Sequence, residues 1–236
     1  MSEEIAVLMA AGIGTRMRPL TETMPKPLVK VHGKPMIETV IEALQVREVS
    51  QIYIVVGYLG EQLKYLAEKY NNVSIVVNKD YEIINNISSI YVVIDKLRGH
   101  NCYICEADLY IPDSNVLSNP VDRSCYYGKM VKGYSEDWVF EQDVNGRITR
   151  IGKGGTDCYN MCGISYFTKD DAARIADAVE NTYGNLGYEG LFWDEVVDSI
   201  LDEVNLGVYP IEAGKIVEID TVGELNEIEG NKGVSL

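Results

Sequence analysis

A chain of 236 residues, 46% hydrophobic and 24% charged, is large enough to bury one sizeable core. Its net charge of −15 disfavours nucleic acid as a partner, because such binding is driven by neutralising phosphates. No apolar run approaches the roughly 20 residues that cross a bilayer, and Met1-Ser2-Glu3-Glu4 is acidic where a secretory leader is basic, so the cytoplasm is the expected compartment.

In chain order, Ile5, Val7 and Leu8 form a short apolar run of the kind a buried parallel strand needs. Ala10-Ala11-Gly12-Ile13-Gly14-Thr15-Arg16 follows. Glycines let the backbone turn tightly and bring its N–H groups close to an anion. From Arg16 to Lys34 there are five basic residues (Arg16, Arg18, Lys26, Lys30, Lys34) and one acid, Glu22. The physical reading is a polyphosphate cradle at the carboxyl end of the first strand, with charge-assisted donors from Arg16, Arg18 and Lys26. It is not a dinucleotide-binding turn, because Met17 stands where the third glycine belongs. It is not an ATPase P-loop either, because Gly-Lys followed by Ser or Thr is absent.

Pro35 suits a first helical turn, and Met36, Ile37, Val40, Ile41 and Leu44 recur at helical spacing. Residues 51–56 and 73–77 read as strands, with a helix between them over 60–70. This alternation predicts a parallel sheet with right-handed crossovers. A helix is expected from Ser89 or Ile90 to Leu97. Asn86 and Ser89 before it suit either helix capping or contact with a nucleobase edge. The strand at 101–106 ends in Glu106-Ala107-Asp108, and ligand chemistry in open α/β sheets gathers at such strand ends. Cys102 and Cys105 fall on opposite faces of that strand, so the five cysteines read as buried thiols rather than a metal cage.

Strands are expected at 123–132, 138–140, 147–151 and 159–167, with a hairpin turn at Asn145-Gly146 and a flexible surface tip at 152–155. Thr168 caps a helix whose buried face is Ala172, Ile175, Ala176 and Val179. A further helix carries Phe192/Trp193 through Val204. Strands at 206–209 and 215–219 lead to Asp220, and Thr221-x-x-Glu224 is a capping box that opens the last helix. Trp138 follows Glu136-Asp137 and Trp193 precedes Asp194-Glu195, and aromatic–acid pairs of this kind suit a cationic ligand.

The string from Ala10 to Pro19, with Pro25-Lys26-Pro27-Leu28, resembles the nucleotidyltransferases that activate phosphorylated sugars and alcohols. Asn85-Asn86-x-x-Ser89, Glu106-Ala107-Asp108, Trp138, Phe192-Trp193-Asp194 and Glu218-Ile219-Asp220 extend the resemblance, specifically to bacterial CTP:phosphocholine cytidylyltransferases, over nearly the whole chain. The resemblance implies one Rossmann-like α/β domain over 1–236, with a mostly parallel mixed sheet flanked by helices. Residues 1–110 would form its nucleotide-binding half and 111–236 its acceptor-binding half. It implies that Ala10, Ala11, Gly12, Gly14, Thr15, Arg16, Asn86 and Ser89 bind CTP, and that Arg16, Lys26, Asp108 and Asp220 are catalytic. Asp108 and Asp220 would hold Mg²⁺, with Glu106 a weaker second. Trp138, Phe192, Trp193 and Asp194 would bind phosphocholine, with Phe192 in place of Trp193 if only one of the two faces the pocket. A chain ending after its last helix is expected to lack the appended β-helix of some relatives. A sugar-1-phosphate nucleotidyltransferase, a phosphonate cytidylyltransferase and a non-catalytic nucleotide-binding module stay open beside this reading.

Overall fold

The first strand, β1 (Glu4–Ala10), divides its side chains between two cores. Ile5 and Val7 face one, and Ala6, Leu8 and Ala10 face the other, as a period of two requires. Both faces are apolar because helices cover both. The computed structural model describes residues 3–230. After β1 come the short β2 (Lys30–Val31) and β3 (Lys34–Pro35), then α1 (Met36–Val46), β4 (Gln51–Val56), α2 (Tyr65–Lys69) and β5 (Val73–Val77). Next are α3 (Ile87–Tyr91), α4 (Ile94–Leu97), β6 (Asn101–Glu106) and β7 (Leu109–Tyr110). Two long strands follow, β8 (Cys125–Gln142) and β9 (Ile148–Phe167), then α5 (Lys169–Thr182), α6 (Trp193–Ser199), β10 (Gly207–Pro210), β11 (Val217–Glu218) and α7 (Val222–Gly230).

The main sheet has seven strands in the order β10-β8-β9-β6-β1-β4-β5. Strands β6, β1, β4 and β5 are parallel, while β9 runs antiparallel to both β6 and β8. The result is the mixed, mostly parallel sheet expected from the sequence. From β1 the chain moves outward to β4 and β5, then returns to place β6 on the other side of β1. That reversal opens a crevice at the carboxyl ends of β1 and β6, where Met9 pairs with Glu106.

Local departures have local causes. The helix expected over 60–70 is a tight 3₁₀ turn, Gly60–Leu63, followed by α2. The helix expected to open at Ser89 or Ile90 begins at Ile87 and breaks at Val92-Val93, a β-branched pair that crowds a helical turn. The helix expected to reach Val204 stops at Ser199. Beyond it the Arg147 guanidinium donates to the carbonyls of Leu201 and Val204 and holds the chain in a turn. Residues 152–155 are not a flexible tip. They lie inside β9, and Gly152 and Lys153 pair with Val139 and Trp138. The hairpin turn is where the sequence puts it, with Asp143 accepting the N–H groups of Asn145 and Arg147 around Gly146 at φ 76°.

Leu44 of α1 is fully buried in the core on the α1 face of the sheet. Leu44→Ala is expected to lower the unfolding free energy by about 2–5 kcal/mol, read from urea denaturation, and to leave kcat unchanged at a temperature where the variant stays folded.

Candidate active site

The site begins with the turn after β1. Gly14 has φ 66°, and a Cβ there would stand 2.9 Å from the Cβ of Lys26. The absence of that atom lets the Lys26 segment close against the loop. Thr21 Oγ1 donates to the Gly14 carbonyl at 2.7 Å and pins the turn. Lys26, between Pro25 and Pro27, is 7% exposed. Its ammonium donates to Asp108 Oδ2 at 2.5 Å and to Asp220 Oδ1 at 2.7 Å. Burial by itself would lower the Lys26 pKa, but Asp108 and then Asp220 outweigh that and hold it raised.

Asp108 follows the end of β6. Asp220 reaches it because β11 pairs antiparallel with β7, and the Ile219 N–H donates to the Asp108 carbonyl at 3.4 Å. The capping box then fixes Asp220: its N–H and that of Thr221 both donate to Glu224 Oε2 at 2.8 Å. Arg16 Nη2 lies 2.7 Å from Asp220 Oδ1. Burial pushes the Asp220 carboxyl up, but Lys26 and Arg16 together keep its pKa lowered.

Two cavities meet here. The first, of about 260 Å³, is lined by Ala10, Gly12, Gly14, Thr15, Arg16, Lys26, Asp108 and Asp220. The expected phosphate-loop and catalytic residues therefore come together. Ala11 is the exception: it is buried, and its carbonyl accepts the Tyr58 N–H at 3.1 Å. The second cavity, of about 450 Å³, shares Arg16 and Asp220 with the first. Asn86, Glu106, Trp138, Lys153, Phe192, Asp194 and Glu218 are among its lining residues.

Three expectations change, and Phe192 takes the place of Trp193 as the sequence allows. Ser89 is buried, and its hydroxyl accepts from Asn78 Nδ2 at 3.2 Å, so it offers a nucleobase no surface. Asn86 stands in the second cavity rather than the first, and its Oδ1 accepts the Trp193 N–H at 2.9 Å. It anchors the start of α6. Trp193 is 3% exposed, stacked on Tyr126 and edge-on to Phe167, because it falls on the apolar stripe of α6. Phe192 faces the cavity in its place, with its ring 5.4 Å from Trp138 in an edge-to-face contact.

Asp194 is 4% exposed, and its Oδ1 accepts the Tyr126 hydroxyl at 3.0 Å. Burial pushes its pKa up to about 7, against the pull of the Tyr126 hydrogen bond. Glu106 is also pushed well up, by loss of water and then by Glu218, Asp108 and Asp194.

Glu218 is a residue that the sequence reading left without a role. Its carboxylate lies within 4.8 Å of those of Asp108 and Asp220. Glu218 is exposed at the cavity edge, and desolvation by its crowded neighbours, with the charges of Asp108 and Asp220, raises its pKa. Its place in the cluster comes from the pairing of β11 with β7, which no local sequence signal gives. Lys153 was missed because its run of glycines reads as a loop.

Residues 5–128 match the family model described as nucleotidyl transferase. This chain belongs to the nucleotidyltransferase family. It is 51% identical, over 93% of its length, to the 2-aminoethylphosphonate cytidylyltransferase of Lancefieldella rimae, of which it covers 89%. It is 34% identical to the choline-phosphate cytidylyltransferase of Streptococcus pneumoniae, over 95% of this chain and 96% of that one. The solved structure of the CTP:phosphocholine cytidylyltransferase from S. pneumoniae superposes with a TM-score of 0.89 at 32% identity, covering 97% of this chain and 98% of that one. This nucleotidyltransferase is thus an enzyme of the cytidylyltransferase kind, and no helix among its described residues is long and apolar enough to cross a membrane.

Two outcomes follow for this nucleotidyltransferase. Asp194 has a raised pKa in the folded protein, so its contribution to stability is present below the unfolded value near 4 and is lost as pH rises through about 7. Asp194→Asn escapes that loss, so its melting temperature relative to wild type should rise between pH 5 and pH 8. An unchanged difference would show that Asp194 ionises freely. Asn86→Ala removes the anchor of α6, and is expected to raise the acceptor KM several-fold while the CTP KM stays within about twofold in steady-state kinetics.

Proposed function

We propose that this nucleotidyltransferase transfers CMP from CTP to 2-aminoethylphosphonate. The observation that carries the acceptor is the margin of similarity: 51% identity to a 2-aminoethylphosphonate cytidylyltransferase against 34% to a choline-phosphate cytidylyltransferase, each over nearly the whole chain. The phosphocholine acceptor expected from the sequence becomes the second reading. The cavity agrees with this order. Apart from Glu218, its walls carry the carboxyl groups of Glu106 and Asp194 and, among the described residues, two aromatic rings, Trp138 and Phe192. A primary ammonium donates three hydrogen bonds and is met by carboxylates, whereas a trimethylammonium has no N–H and relies on ring faces. The edge-to-face Trp138–Phe192 pair is what favours phosphocholine.

The first cavity receives the triphosphate and the second the acceptor, with Arg16 and Asp220 between them. An acceptor phosphonate oxygen attacks the α-phosphorus. The new P–O bond forms as the bond to the departing pyrophosphate breaks, in one in-line displacement. The nucleophile is already anionic at neutral pH, so no general base is required, and catalysis is positioning and charge neutralisation. Backbone N–H groups of the loop at Gly12, Gly14 and Thr15 hold phosphate oxygens. Lys26 and Arg16 meet the charge that builds on the transferred and leaving groups. Asp108, Glu218 and Asp220 form an all-oxygen set within 4.8 Å, which fits a hard divalent cation, and would hold Mg²⁺. When bound, Mg²⁺ neutralises triphosphate charge.

Pyrophosphate release with CTP tests the reading against 2-aminoethylphosphonate, phosphoethanolamine, phosphocholine and glucose-1-phosphate. We expect 2-aminoethylphosphonate to exceed phosphocholine at least tenfold in kcat/KM, and EDTA or Asp220→Ala to abolish turnover. A higher kcat/KM for phosphocholine would install the second reading. Turnover of glucose-1-phosphate alone would overturn both.

A further inference from the structure

The second cavity already contains a cation over its aromatic wall, and it belongs to the chain. Strands β8 and β9 pair Trp138 directly with Lys153, and side chains of such cross-strand partners meet on one face of the ladder. The Lys153 ammonium lies 6.0 Å from the centre of the Trp138 ring and 5.6 Å from that of Phe192. Both distances are within reach of a cation–π contact. The backbone beneath is held, because Arg150 donates to the carbonyls of Lys153 at 2.7 Å and Gly154 at 3.2 Å. Asp194 and Glu106 line the same cavity.

We propose that Lys153 is a specificity-determining residue that selects against quaternary ammonium acceptors. With its ammonium over Trp138 and Phe192, the ring faces are taken. A trimethylammonium needs those faces, because it cannot donate a hydrogen bond, and it must displace Lys153 against a like charge. A primary ammonium turns to the carboxylates of Asp194 and Glu106 and leaves Lys153 where it is. The same two aromatic residues thus give different selectivity according to whether a lysine is seated on them. This inference rests on the reading above that the acceptor carries an ammonium group.

The test compares acceptors that differ only in N-methylation. The kcat/KM ratio of phosphocholine to phosphoethanolamine is measured for wild type, Lys153→Met and Lys153→Arg. Any contact of Lys153 with the phosphoryl group, common to both acceptors, cancels in that ratio. Lys153→Met is expected to raise it about tenfold, and Lys153→Arg, which keeps a cation that stacks on rings, to leave it within about twofold. If Lys153→Met turns over too slowly to measure, choline and ethanolamine are titrated into each protein and read by tryptophan fluorescence. Choline should then gain about tenfold more affinity than ethanolamine. An unchanged ratio in turnover or in binding overturns the role of Lys153, whichever acceptor the wild type prefers. A wild type that prefers phosphocholine to 2-aminoethylphosphonate overturns the acceptor reading alone, since the change on substitution is measured separately.

Discussion

Everything at this site depends on one ammonium placed between two carboxylates. Lys26 joins Asp108 and Asp220, residues 82 and 194 positions away along the chain. A buried lysine is costly unless paired, and two carboxylates close together repel unless a cation lies between them. Each group makes the others tolerable. The arrangement also explains why the loop after β1 carries glycine at 14: a side chain there would push Lys26 out of line. These charges are thus held at fixed positions by one another, which is the condition under which charge stabilisation costs least reorganisation.

A cytidylyltransferase with a net charge of −15 must still bind a nucleoside triphosphate. On the loop side Arg16 and Lys26 stand against Asp108 and Asp220. The second cavity gathers Glu106, Asp194 and Glu218, whose pKa values are all pushed up, together with Lys129 and Lys153. Carboxyls crowded in this way gain from an arriving cation, which relieves their mutual repulsion.

The aromatic wall of the second cavity is assembled from parts that are distant in sequence. Trp138 comes from β8, Phe192 from the start of α6 and Lys153 from β9. The segment before α3 ties them to the rest of the molecule: Asn86 accepts from Trp193, and Asn85 donates through its backbone to Glu189 and through its side chain to Gly190. Asn86, which the sequence suggests for the nucleobase, holds the start of α6. The tie makes the position of Phe192 sensitive to residues 85–86, although neither contributes to the aromatic surface.

By itself the sequence determined the parallel half of the sheet, because β1, β4 and β5 are short apolar runs between helical periods, and local pattern is sufficient to read them. It also determined the phosphate loop, since glycine spacing and the density of cations are local properties of a dozen residues, and the hairpin turn at Asn145-Gly146. Tertiary structure decided what depends on register and on side-chain direction. Whether Trp193 or Phe192 faces the cavity turns on how α6 rotates against Tyr126 and Phe167. The membership of Glu218 in the carboxylate cluster turns on the pairing of β11 with β7. The place of Lys153 opposite Trp138 turns on a strand register that a glycine-rich run conceals. These are choices among partners distant in sequence, which composition and local periodicity leave degenerate and packing resolves.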